Sequence, residues 1–167
     1  MLNNLFHTSE SIPLQEQINQ LIILYNKGAY EETVQKGNKF LEGNPGSSQI
    51  HNILGISNSI LGRAKTGISH LRRVLELQPN HHEGYNNLGL ILASRQKYDE
   101  AIELYKHAIK LHPRCAECYN NLGTAFKETK KFAKAKSHYK IAIYINPRFP
   151  EAFFNLGVVQ SLLGDVD

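Results

Sequence analysis

Residues 82–115 read HEGYNNLGLILASRQKYDEAIELYKHAIKLHPRC, and residues 116–149, which follow at once, read AECYNNLGTAFKETKKFAKAKSHYKIAIYINPRF. Tyr85 and Tyr119, Gly89 and Gly123, Tyr105 and Tyr139, and Pro113 and Pro147 fall at matching places in the two strings. The interval extends outward from them. Pro45, Pro79, Pro113 and Pro147 stand 34 residues apart (79 − 45), and Gly55, Gly89, Gly123 and Gly157 keep the same step, each directly preceded by a leucine. Two independent residue classes that share one period define a repeated structural unit.

Within residues 82–115, Tyr85, Leu88 and Leu92, then Ile102, Tyr105 and Ile109, recur at helical spacing on either side of the polar turn at Gln96 and Lys97. Each unit is therefore a pair of antiparallel helices. The proline near each unit's end cannot continue a helix and biases the residue before it toward extended geometry, which stops the second helix. Glycine inside a helix costs roughly 1 kcal/mol relative to alanine, so Gly89 and its equivalents need a packing reason. A close approach of the two helices supplies one, with Ala101, Ala135 and Gly67 as the small residues expected on the facing helix. The chain then divides into an extension at 1–13, units at 14–47, 48–81, 82–115 and 116–149, and the first helix of a fifth unit at 150–167.

Tyr85-x-x-Leu88-Gly89-x-x-Leu92, Ala101-x-x-x-Tyr105 and Pro113 resemble the tetratricopeptide repeat, as do Tyr119-x-x-Leu122-Gly123-x-x-Phe126, Ala135-x-x-x-Tyr139 and Pro147. The resemblance covers residues 48–164. Residues 14–47 depart from it, with Gln20 and Leu21 in place of Leu-Gly, while Gly28, Tyr30 and Pro45 keep the frame, as in an atypical end repeat. It implies an all-α, right-handed superhelical solenoid in which each hairpin hides its apolar face against its neighbours. The first helices line the inner surface.

In that family positions two, five, six, nine, twelve and thirteen of a unit face the groove. Here they pick out Asn86, Asn87 and Leu90, then Asn120, Asn121 and Thr124, with Asn155 continuing position six. A carboxamide offers both a donor and an acceptor to a peptide backbone. Helices packed about 8–10 Å apart would meet an extended chain, rising about 3.3 Å per residue, at every third residue. The series resembles the asparagine ladder of the arrays in protein O-linked sugar transferases, and also fits asparagines that bond neighbouring helices. The expected partner is a protein or peptide. The carboxylate clamp that holds acidic chaperone tails is not supplied: its last Lys and Arg fall on Glu117 and Asn121, or on Glu151 and Asn155.

Other functions find little support. With 167 residues, 41% of them hydrophobic, the chain can bury a sizeable core, and no run approaches the roughly 18 apolar residues of a membrane span. The amino terminus lacks the basic start and apolar run of a secretory signal, which makes a cytoplasmic setting the expectation. Cys115 and Cys118 are too few and too close for a disulfide framework, agree with a reducing compartment, and read as structural cysteines, since structural zinc needs four ligands. The eight histidines are scattered and read as surface residues. No phosphate loop, nucleophile elbow or carboxylate pair is present, so no catalytic residue, cofactor or metal is expected. Net charge is +4. A basic region at Lys127, Lys130, Lys131 and Lys134 suits an acidic partner, but without interleaved aromatics it argues against nucleic acid.

The fifth unit ends after its first helix, near the turn at Gly164 and Asp165, which should strip Phe153, Leu156 and Val159 of their usual cover. Solenoids ordinarily close with a polar capping helix. Three readings follow: a binding scaffold, the substrate-recruiting segment of a larger enzyme resembling bacterial transferases of this layout, and a module that self-associates, as a homodimer, through this end.

Overall fold

The protein, described here by a computed structural model covering residues 12–164, contains nine α-helices and no strand among the described residues. The first helices of successive units are α1 (Leu14–Asn26), α3 (Ser48–Ile60), α5 (His82–Ser94), α7 (Ala116–Glu128) and α9 (Pro150–Leu163). The second helices are α2 (Tyr30–Gly43), α4 (Ala64–Leu77), α6 (Tyr98–Leu111) and α8 (Phe132–Ile145). Each first helix begins 34 residues after the one before. The helices pair antiparallel and stack into a solenoid. Residues 1–11 and 165–167, including most of the expected extension and Asp165, lie outside the described residues.

Local chemistry recurs with the helices. Ser47 Oγ, His81 Nδ1 and Cys115 Sγ, at the last position of three units, each accept the backbone N–H three residues on, at 3.4, 2.9 and 3.1 Å, occupying an orphan donor of the helix that follows. The turn between the two helices of each of the first four units passes through a left-handed residue, Gly28, Gly62, Gln96 and Lys130 in turn, and left-handed Gly164 ends α9.

The largest core cluster runs from Leu71 and Val74 through Leu88, Tyr105, Leu122 and Tyr139 to Val159, so one apolar seam joins units two to five. A methyl group on Gly89 would lie 2.6 Å from Tyr105, and one on Gly123 2.7 Å from Tyr139. The nearest partner of each glycine is therefore a tyrosine ring on the second helix and not Ala101 or Ala135, which are themselves fully buried. In unit two the partner is Leu71, with the Gly67 carbonyl next.

Unit one departs from this arrangement. Leu21 holds the position of the glycines and is fully buried, while Gly37 holds the position of Leu71, Tyr105 and Tyr139 and packs against Leu54. The large side chain has moved to the other helix, and with Ile18, Val34, Ile50 and Leu54 it forms a second core cluster. At the other end, the expectation for Val159 and Leu156 is corrected. Packing of α9 onto α7 and α8 buries Val159 completely and Leu156 in part. Phe153, Phe154 and Leu162 remain exposed.

Candidate functional site

The asparagines at positions five and six meet across neighbouring first helices. Asn87 Nδ2 donates to Asn52 Oδ1 at 3.0 Å, Asn121 Nδ2 to Asn86 Oδ1 at 2.9 Å, and Asn155 Nδ2 to Asn120 Oδ1 at 3.0 Å. Each bond ties one unit to the next. The pairs thus fulfil the structural role weighed for them, and they leave a further capacity. In each pair the position-five amide nitrogen and the position-six carbonyl oxygen form no bond among the described residues, a donor and an acceptor matched to one peptide unit. Asn120 is nine-tenths buried.

Beside this row lies an apolar column. Ile56 and Ile60 on α3 and Leu90 and Ile91 on α5 line a hollow of about 190 Å3, bordered by Asn87. Leu90 is 44% exposed and Ile60 49%, and the next unit has Thr124 at the position of Leu90. That threonine, expected in the groove, is turned into the fold: its hydroxyl donates to the Asn120 carbonyl at 3.0 Å and accepts from Tyr139 at 3.2 Å. The sequence does not mark Ile56 and Ile60 as groove residues, because they lie in a unit whose position-six residue is Ile53 instead of asparagine.

The basic residues gather at the turn between α7 and α8. Lys130 occupies its left-handed residue and Lys131 caps α8. Lys134 sits 5.6 Å from the centre of the Phe126 ring, and Lys127 pairs with Glu128 at 3.3 Å. They are on a helix-hairpin tip and not on the asparagine row.

Cys115 and Cys118 are joined by a disulfide, which corrects the expectation that they stay unpaired. The extended backbone of a helix-capping residue turns its side chain back over the first turn, bringing the two Cα atoms to 5.3 Å, within disulfide range. The surface reading of the histidines is also corrected at His51 and His70, which are half-buried with Nδ1 atoms 2.9 Å apart between α3 and α4. Burial, and then the His51 ring, hold the His70 pKa below the ordinary imidazole value. Among the described residues no group of three or more His, Cys, Asp or Glu is placed to hold a metal ion, and no helix is long and apolar enough to cross a membrane.

Residues 82–143 match the family model described as Tetratricopeptide repeat. Among solved structures, the chain is similar to PilF of Pseudomonas aeruginosa, with 22% identity over 90% of this chain and 69% of that chain and a TM-score of 0.84. It is similar to MamA of Desulfovibrio magneticus RS-1, with 20% identity over 90% of this chain and 85% of that chain and a TM-score of 0.77. It is also similar to the first such repeat domain of Spaghetti (RPAP3) bound to an HSP90 peptide, with 18% identity over 70% of this chain and 93% of that chain and a TM-score of 0.67. At these identities the likeness is one of fold. No curated protein sequence matches the chain.

Proposed function

We propose, from the premise that residues 82–143 are tetratricopeptide repeats within an all-α solenoid of that type, that the protein is a non-catalytic interaction scaffold. It takes an extended peptide, or such a segment of a partner protein, along the row of first helices. The observation that carries this reading is the juxtaposition of the Asn52–Asn87 pair with the exposed Ile60 and Leu90 hollow: paired backbone-directed donors and acceptors beside an anchor pocket. Peptide binding by a neighbour of the same fold is in keeping with it. Affinity capture with wild type and with the Ile60→Asp/Leu90→Asp double variant tests the reading. Both side chains are exposed, so the variant should keep its melting temperature and lose the partners that wild type retains; an undiminished partner set would refute a groove at this place.

A second reading, self-association through α9, is favoured by one feature. Gly55, Gly89 and Gly123 each receive a large side chain from the following helix, whereas nothing lies within 4 Å of a methyl group placed on Gly157. Phe153, Phe154 and Leu162 flank this unfilled slot. Sedimentation equilibrium should then show a mass rising with concentration and reverting to monomer in Phe154→Asp. A monomer at all concentrations would exclude this reading.

A further inference from the structure

We infer, building on the groove reading above, that the peptide is basic, with apolar anchors, and lies extended on the asparagine pairs with its two side-chain rows facing different chemistry. The charge of the molecule is divided by helix. The first helices carry Glu16, Glu83, Glu117, Glu128 and Glu151 against one base, Lys127, which is paired with Glu128. The second helices carry seven acidic and ten basic residues. A chain of net charge +4 thus has an inner row of the opposite sign. Helix-dipole complementarity alone does not require this, because α3 forms with no acid in its first turn.

The placement of these residues along each helix is specific. Glu83, Glu117 and Glu151 occupy position two, the asparagine pairs positions five and six, and Ile56, Leu90 and Val158 position nine. Seven residues of helix span about 10 Å, so the asparagine row runs midway, with about 5 Å to either side. Glu151 shares a surface hollow with Asn155, which shows that positions two and six open onto one face. An extended peptide bonded to the unspent asparagine groups projects alternate side chains in opposite directions. One set meets the glutamates, and the other meets the aliphatic column and the hollow at Leu90. Lysine or arginine alternating with aliphatic residues satisfies both, and acidic peptides are repelled where they pass Glu83, Glu117 and Glu151.

The test uses three fluorescent nine-residue probes, alternating Lys/Leu, Glu/Leu and Lys/Ser, titrated by anisotropy against the full chain, against Glu117→Gln/Glu151→Gln and against Leu90→Ser. The variants change exposed side chains, and an unchanged melting temperature confirms that they fold. The Lys/Leu probe should bind, weakening about fivefold in the double glutamine variant and about tenfold in Leu90→Ser. Equal or tighter binding of Glu/Leu, lost in Leu90→Ser, would overturn the charge assignment and leave the groove standing. Equal binding of Lys/Ser would overturn the apolar anchor. Binding indifferent to both variants would put the peptide off the inner face and overturn the groove reading itself, and no binding by any probe would overturn the inference.

Discussion

Gly89 and Gly123 each hold the edge of a buried tyrosine ring where a methyl group would not fit, and this contact explains why these two units keep a residue that weakens a helix; in unit two Leu71 plays the same part against Gly55. The Tyr139 ring has little room to yield, because it is fully buried and its hydroxyl is held by Thr124 at 3.2 Å. Gly123→Ala, with its Cβ 2.7 Å from the ring, should therefore lose about 1–3 kcal/mol to overpacking. Gly157→Ala meets open space and should gain up to about 1 kcal/mol of helix propensity. Urea denaturation of the two variants gives the signs, and a shared sign would mean that the contact is not what retains glycine. The need for such a contact was legible from residues 89 and 123 alone. Its partner was not, because alanine at 101 and 135 and tyrosine at 105 and 139 are all periodic, and only the distances distinguish them. The burial of Leu21 and the contact of Gly37 with Leu54 were hidden for the same reason: each residue looks like a departure from the pattern, and only the packing shows where it fits.

Between elements, side chains and not backbone fix the register of adjacent units. The α3–α4 crossing adds the His51–His70 pair, whose facing Nδ1 atoms need one proton between them, one ring donating and the other accepting. Folding holds His70 below its ordinary pKa, so below about pH 6.5 the unfolded chain binds a proton that the folded chain resists. The stability contribution is complete above that pH and is lost as pH falls through the lowered folded value. Melting temperatures measured from pH 7.5 down to 5 should thus fall more steeply for wild type than for His70→Gln, and parallel slopes would show that the pair does not contribute. Helix order and turns could be read from the 34-residue step because proline and glycine act locally. The asparagine pairs could be placed on the inner surface but not joined to one another, since each bond links residues 35 apart in different units. The Cys115–Cys118 bond was missed because spacing alone does not reveal that Cys115 caps a helix.

At the scale of the whole molecule, the repeat sets a division of labour. Second helices bury Tyr105 and Tyr139, the turns and second helices carry the basic residues apart from Lys127, and first helices present asparagine, aliphatic and acidic rows in parallel. The aliphatic row is not legible in the sequence, because Ile56 and Ile60 belong to a unit without the Asn-Leu-Gly string and their exposure depends on how α3 and α5 pack.

The measurement that tests the central claim most directly is photo-crosslinking of partners in a cell lysate, with a benzophenone amino acid placed at position 90 on α5 and, separately, at position 106 on α6. A partner seated on the first helices should give covalent adducts from position 90 that are absent from position 106. Adducts from position 106 alone would contradict the account and move recognition to the second helices.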